Sequence, residues 1–231
     1  MTVDSTTTSG GPVPSAVVQL LHNNRDWAAK KLNASPDFFH KLASGQQPEI
    51  LWIGCSDSRV PPTEILQIGS GDAFVHRNIA NIIVPSDLSF LSVLQYAVEV
   101  LKVQHVIVCG HYSCGGVRAA MGTKRHGLID NWLQQVKDLH AANLDKLEAL
   151  PTQEEREDLM CELNALNSFS KVVSTGIIQG AWERGQKVTV HAWCYRLSDG
   201  IIRDLGIVAD SNISLNEKLG ELIAAKTMPE P

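Results

Sequence analysis

Apolar and polar residues follow helical and strand-like patterns in turn along the chain. Ser15 to Leu32 places apolar residues three and four positions apart, which predicts an amphipathic helix with one apolar stripe. Short apolar runs at 49–54, 73–75 and 104–109 each stop abruptly at polar residues, as buried parallel strands do where they enter a loop. A helical period over 86–101 lies between the second and third runs and completes a β-α-β unit.

The second half of the chain has the pattern of several helices followed by a hairpin. The predicted helices cover 128–139, 152–166 and 170–183. The second of them opens with the capping box Thr152-x-x-Glu155. Residues 187–195 and 201–208 alternate around a turn, which predicts an antiparallel pair. We therefore predict an α/β fold with a mainly parallel central β-sheet, an antiparallel edge and flanking helices.

The chain of 231 residues has no internal repeat and no linker rich in Pro, Gly or Ser, which predicts a single domain over residues 15–231. Residues 1–14 consist largely of Ser, Thr, Gly and Pro, and we predict a disordered tail there.

Charge and hydropathy argue against two classes of partner. The net charge is −5 and no run of five or six basic residues occurs, so the pattern of a nucleic-acid-binding protein is missing. The longest apolar stretches fall far short of the roughly 20 residues that cross a bilayer. Neither a secretory signal nor a transit peptide is recognisable. The sequence therefore predicts a cytoplasmic protein that acts on a small molecule, with no nucleic-acid and no membrane partner.

The odd number of five cysteines, spread through a chain of this length, favours metal ligation, catalysis or burial over disulfide bonds. Cys109, Cys161 and Cys194 lie within strand or helix patterns, and we expect them to be buried. Cys55 and Cys114 instead follow predicted strands.

Two loops that follow predicted strands carry the candidate chemistry. Cys55 begins C-S-D-S-R after the first strand, and His111-x-x-Cys114 follows the third. Parallel sheets place functional residues beyond the carboxyl ends of their strands, so these loops converge if the strands are neighbours. Two thiolates and one imidazole suit Zn²⁺ and leave a fourth position open, as catalytic zinc sites require.

The pattern C-x-D-x-R, followed about fifty residues later by H-x-x-C and G-G, resembles that of the β-class carbonic anhydrases. The resemblance extends over roughly residues 15–210 and includes F-V-H-R-N-I-A-N, S-V-L-Q-Y-A-V and L-I-D-N-W-L. It implies reversible hydration of carbon dioxide to bicarbonate by one Zn²⁺ per subunit. The implied zinc ligands are Cys55, His111 and Cys114, with Asp57 and Arg59 as the catalytic pair beside the metal.

The resemblance also implies regulation by bicarbonate. In regulated members the carboxylate equivalent to Asp57 becomes a fourth metal ligand and closes the site. Their second, non-catalytic bicarbonate pocket corresponds here to Trp52, Arg77 and Tyr195, although sheet packing or an ion pair would explain these three residues equally well. Plant-type members carry an active-site glutamine where this chain has Gly69, which favours the closing subtype.

The family resemblance further implies a homodimer or homotetramer, with the first helix packed on a partner subunit. Val60, Phe74 and Val75 are candidates for an apolar approach that admits carbon dioxide, although core packing would explain them equally well. A zinc nucleoside deaminase is excluded because H-x-E and P-C-x-x-C are both absent. Two alternatives stay open: a zinc hydrolase of the same fold that acts on carbon disulfide or carbonyl sulfide, and a binding module with structural zinc and Asp57 as fourth ligand.

Overall fold

A computed structural model describes residues 15–211. Within that range the residues up to Gly45 form one compact unit and those from Gln46 onwards form another. The tail predicted for residues 1–14 lies outside the described residues. The single domain over residues 15–231 stays a prediction.

The first unit contains helices α1 (Ser15–Ala34) and α2 (Phe38–Ala43). The structure confirms the first predicted helix, while α2 is too short for its period to be recognised in the sequence. The ring of Trp27 lies 5.6 Å from that of Phe39, edge to face. No residue of α1 is buried, and several of its large apolar side chains are exposed. These are Val17, Val18, Leu20, Leu21, Trp27 and Leu32.

The second unit is built on a five-stranded sheet, which confirms the predicted fold. Its strands are β1 (Ile50–Cys55), β2 (Ala73–Asn78), β3 (His105–His111), β4 (Thr189–Arg196) and β5 (Ile201–Ala209). They lie in the order β2-β1-β3-β4-β5. The first four strands are parallel, and β5 pairs with β4 in the antiparallel direction.

The helices of this unit flank the sheet. They are α3 (Pro62–Ile65), α4 (Leu88–Gln95), α5 (Gly115–Met121), α6 (Ile129–Trp132), α7 (Gln134–Ala142), α8 (Leu144–Glu148), α9 (Gln153–Val173) and α10 (Gly176–Glu183). A short 3-10 turn covers Ile79–Asn81, and α4 continues into a π-helical turn over Tyr96–Val100. No helix among residues 15–211 is both long and apolar enough to span a lipid bilayer.

Two helix boundaries differ from the sequence prediction. The capping box at Thr152 does start α9, but this helix runs on to Val173 because its buried side chains continue through Phe169 and Val172. The next helix therefore begins at Gly176 rather than at residue 170, with Thr175 as its cap. The helix predicted over 128–139 is two helices, α6 and α7, which meet at Leu133.

The core lies between the sheet and its helices. Helix α9 packs against β3 and β4, over the face that buries Leu51, Ile53, Val106 and Val108. The pairing of β1 with β3 aligns Gly54 with Cys109, so both strands end at the same edge of the sheet. The loops that follow them consequently start side by side.

Candidate metal centre

Three elements bring two thiols and one imidazole together. Cys55 is the last residue of β1, His111 is the last residue of β3, and Cys114 precedes the first turn of α5. Their ligand atoms all lie within 4.8 Å of one another, and all three residues are buried. Within residues 15–211 this is the one group of His, Cys, Asp or Glu with the spacing of a metal site. The predicted convergence of the two loops is confirmed.

The loop from His111 to Cys114 is held at several points. Ser113 has φ 56, a left-handed conformation that turns the chain back. The N–H of Tyr112 donates to the main-chain oxygen of Tyr195 across 2.9 Å, and its hydroxyl donates to Glu162 Oε1 across 2.6 Å. The guanidinium of Arg196 stacks 3.9 Å from the centre of the Tyr112 ring. Such contacts lock the loop before any ligand arrives.

His111 offers one free nitrogen to the cluster. Its Nδ1 lies 3.0 Å from the main-chain oxygen of Tyr112. A carbonyl only accepts, so the proton is on Nδ1 and the lone pair is on Nε2. That Nε2 is buried and has no hydrogen-bond partner among the described residues. A buried acceptor without a donor is costly unless a cation binds it, so the residues present fit a metal ion.

The two candidate ligand thiols affect each other's ionisation. Hydrogen bonding with Cys114 lowers the pKa of Cys55, and the same contact raises the pKa of Cys114. Burial instead raises the pKa of Cys109, Cys161 and Cys194, which keeps them as thiols. All three are buried and free, as the sequence predicted. The thiolate character that metal ligation needs is therefore confined to the cluster.

Asp57 and Arg59 form the predicted pair beside the cluster. Arg59 donates from Nη2 to Asp57 Oδ2 across 2.7 Å and from Nε to Oδ1 across 3.0 Å, and its main-chain N–H adds a third bond. Mainly through this hydrogen bonding, Arg59 holds the pKa of Asp57 well below its usual range. Asp57 Oδ2 lies 3.9 Å from His111 Nε2, which puts an ionised carboxylate next to the ligand set.

A strained turn supplies a donor to the cluster that sequence reasoning missed. The main-chain N–H of Ala80 donates to Cys55 Sγ across 3.3 Å. Ala80 and Asn81 have φ 60 and 47, a left-handed conformation that costs about 1–2 kcal/mol for a residue such as alanine and that asparagine tolerates better. Nothing in the pattern N-I-A-N signals this conformation at Ala80, and Asn81 is only a weak signal for it.

A cavity of about 380 Å³ opens onto the cluster. Apolar side chains line much of it, namely Ile79, Ala119, Ile129 and Leu133. Asp57 and His126 also line it. The apolar approach expected from Val60, Phe74 and Val75 is wrong for this cavity: Val60 is buried beside Trp52 on the other face of the sheet, and the Phe74 ring packs 5.8 Å from that of Tyr96.

The three residues of the predicted bicarbonate pocket lie on that other face. Trp52 and Tyr195 belong to one apolar cluster, and Trp52 Nε1 is buried without a hydrogen-bond partner among the described residues. Arg77 sits in register with Gly54 and donates to the main-chain oxygens of Cys55 and Asp57, across 2.7 and 2.5 Å. The guanidinium of Arg77 is therefore bound to the loop that carries the candidate ligand Cys55.

Comparison with known proteins identifies the family. Residues 50–202 match the family model of carbonic anhydrase. The chain is 45% identical over 197 residues to a carbonic anhydrase of Emericella nidulans, which covers 83% of this chain and 86% of that one. It is also similar to a tetrameric β-carbonic anhydrase of Sordaria macrospora, with TM-score 0.80 and 41% identity over 84% of this chain and 98% of that one. The chain belongs to the β-carbonic anhydrase family.

A more distant β-carbonic anhydrase has the same fold. The enzyme of Coccomyxa, solved with acetazolamide, gives TM-score 0.81 at 32% identity and covers 91% of this chain and 98% of that one. Membership of the carbonic anhydrase family confirms the resemblance that was drawn from the sequence motifs.

Proposed function

We propose that this chain catalyses the reversible hydration of carbon dioxide to bicarbonate and a proton, with one zinc ion per subunit bound by Cys55, His111 and Cys114. The observation that carries the proposal is this buried cluster, beside the Asp57–Arg59 pair and open to an apolar cavity. When bound, zinc lowers the pKa of water from about 15.7 towards 7 and so supplies a hydroxide nucleophile near neutral pH.

Asp57 orients the attacking oxygen. Its ionised carboxylate stands 3.9 Å from the ring nitrogen that His111 offers to zinc, and it accepts the remaining hydrogen of the nucleophile. Arg59 fixes the carboxylate with two side-chain hydrogen bonds, so the acceptor is aligned before the substrate enters. A closed state with Asp57 as the fourth zinc ligand requires this pair to separate, and it stays a prediction.

The apolar wall of the cavity suits the substrate. Carbon dioxide is small and carries no net charge, so Ile79, Ile129 and Leu133 accommodate it without offering a hydrogen bond to compete with attack. The product is an anion, which the same wall does not favour, and this promotes its release.

His126 provides a route for the proton that the reaction releases. It lines the cavity and is exposed to solvent. Its main-chain N–H donates to Asp130 Oδ2 across 2.8 Å, and Lys137 holds the other oxygen of that carboxylate at 3.1 Å. Imidazole is the side chain that exchanges protons near neutral pH, and here it connects the cavity with bulk water. The sequence assigned no residue to this step.

We also propose a second, non-catalytic bicarbonate site, which lies between Trp52, Arg77 and Tyr195. The unpartnered Nε1–H of buried Trp52 supports an acceptor at this place, and Arg77 supplies positive charge.

The active assembly is a homo-oligomer, either a dimer or a tetramer. The exposed apolar side chains of α1 support its packing on a second copy, and the Sordaria relative is tetrameric. The absence of a basic run in the sequence supports the prediction that the protein has no nucleic-acid partner. That it has no membrane partner stays a prediction. The cytoplasmic location stays a prediction.

Stopped-flow hydration of carbon dioxide with a pH indicator, from neutral to alkaline pH, tests the proposed function. The protein is analysed for metal and compared with Cys55→Ser. Zinc-dependent hydration that disappears in the variant supports the proposal. Bound zinc without hydration at any pH overturns it; sulfide release from carbonyl sulfide would then favour the sulfur-substrate alternative, and no turnover would favour structural zinc.

A further inference from the structure

Each main-chain oxygen of the Ile79–Asn81 turn accepts a hydrogen bond from a different helical side chain. Trp132 Nε1 donates to Ile79 O across 2.9 Å, and Asn164 Nδ2 donates to Ala80 O across 2.7 Å. Ser168 Oγ donates to Asn81 O across 2.9 Å. Asn164 and Ser168 are both buried, four residues apart on one face of α9.

The turn would not keep its shape without such support. Ala80 and Asn81 are both left-handed, a conformation that alanine disfavours and asparagine tolerates better, so the turn needs outside support above all at Ala80. Two polar side chains in the middle of a core helix reach more than 80 residues along the chain to meet this turn. What the conformation achieves is to aim the Ala80 N–H at Cys55 Sγ.

We propose that Trp132, Asn164 and Ser168 are positioning residues that hold this turn, so that the Ala80 N–H fixes the sulfur of Cys55 and strengthens zinc binding. The inference rests on the zinc site of the proposed function. An N–H donor to a thiolate disperses its charge and fixes the direction of its lone pairs. Removing such outer partners of metal ligands typically weakens metal affinity about 10–100-fold.

The test compares Asn164→Ala with Asn167→Ala, the same substitution three residues further along α9, where no hydrogen bond to the turn exists among the described residues. The zinc Kd is measured by competition with a chromogenic chelator at fixed pH. We expect Asn164→Ala to weaken zinc binding about 10–100-fold and the control to leave it unchanged. In the cobalt-substituted protein, the thiolate-to-cobalt absorption band should change in Asn164→Ala alone.

Hydrogen exchange of the Ala80 amide gives a readout that needs no metal. We expect slow exchange in the metal-free wild-type protein and faster exchange in Asn164→Ala. Ser168→Ala removes only one hydroxyl and takes the place of Asn164→Ala if that variant does not fold. Rapid exchange in the wild-type protein overturns the inference, whatever the variants do.

Failure of the inference and failure of the proposed function are distinguishable. A wild-type protein that hydrates carbon dioxide, with an Asn164→Ala variant of unchanged zinc Kd, contradicts the inference alone. A wild-type protein that binds zinc without hydration, with weaker binding in the variant, contradicts the function alone.

Discussion

The Nε–H of Arg77 donates to the main-chain oxygen of Cys55 across 2.7 Å. Its Nη2 donates to the main-chain oxygen of Asp57, so one guanidinium holds both ends of the C-S-D segment. An anion that binds Arg77 through these same N–H groups has to compete with the two carbonyls. Bicarbonate bound in this way in the proposed pocket would loosen the segment that carries the candidate zinc ligand Cys55 and the Asp57 carboxylate, which would couple the two sites.

Replacement of Trp52 by Phe tests the bicarbonate pocket. The variant keeps an aromatic ring on the sheet but loses the unpartnered Nε1–H, so inhibition by added bicarbonate should weaken about 10–100-fold, the value of one hydrogen bond to a charged group. The measurement is the initial rate of carbon dioxide hydration against bicarbonate concentration. Trp193→Phe is the matched control, because its Nε1 is buried and unpartnered too. Equal inhibition of both variants would place the inhibitory site elsewhere.

Replacement of Asp57 by Asn removes the charge while preserving the shape of the side chain. Arg59 loses its anionic partner and the attacking oxygen loses its acceptor, so we expect kcat/KM to fall about 10²–10⁴-fold, the usual contribution of a positioned base. Zinc content, measured alongside, should not change. Asp138→Asn on α7 controls for the charge change. Near-normal activity in Asp57→Asn would mean that the carboxylate has no part in catalysis.

The candidate metal site could be predicted from sequence because Cys55 and His111 stand at the ends of apolar runs. Cys55 and His111 each follow directly on buried strand positions, and parallel pairing then leaves little freedom in where they meet. The carboxyl-terminal end of α9 was predicted wrongly because residue type and burial point in different directions there. Ser170 has the residue type of a helix start, yet burial on both sides of it keeps the helix intact.

The supports of the cluster could not be predicted. Asn164 lies in a helical stretch where a polar residue usually faces solvent, and only the fold shows that its partner is Ala80. The lining of the cavity could not be predicted for the same reason, because Ile129 and Leu133 come from helices whose approach to the site depends on tertiary packing. Pattern reasoning finds residues that share a strand end, but not residues that meet from distant segments.

His126→Ala tests the proton route. If proton release limits turnover, kcat should fall about 10²-fold in weakly buffered solution, the lower end of what a positioned proton-transfer group contributes. The value of kcat/KM should stay unchanged, because hydration itself does not need the imidazole. Added imidazole should restore kcat. His22→Ala on α1 is the control. A fall in kcat that imidazole does not reverse would point to a changed cavity rather than to a lost proton carrier.

From buried His76 and half-buried His191 we predict a loss of stability in mild acid. Burial lowers the pKa of His76, against a weaker opposing effect of Asp87, and burial together with His105 lowers that of His191. The unfolded chain binds protons at these sites below pH about 6.5, while the folded protein does so only at lower pH. Above that pH these two histidines therefore take nothing from the free energy of unfolding. At lower pH the free energy of unfolding decreases, by at most about 1.4 kcal/mol per pH unit for each histidine.

Urea unfolding of the metal-free protein at several pH values between 7.5 and 5 measures this loss. EDTA treatment removes the separate pH dependence of metal binding. His76→Gln should flatten the decline, and His22→Gln on the exposed surface of α1 should not. An unfolding free energy that is constant over this range would contradict the prediction.

Replacement of Leu20 by Lys tests the role of α1 in assembly. Leu20 is 64% exposed and Leu21 is 57% exposed, so the change leaves the fold of one chain intact, whereas a lysine placed in an apolar subunit interface buries an unpaired charge. We expect the oligomer to dissociate at micromolar concentration, as light scattering coupled to size-exclusion chromatography would show. Asn33→Lys introduces the same charge at an exposed polar position on the opposite side of the same helix and should leave the mass unchanged. If both variants keep the mass of the wild-type protein, α1 does not hold the subunits together, and another surface does.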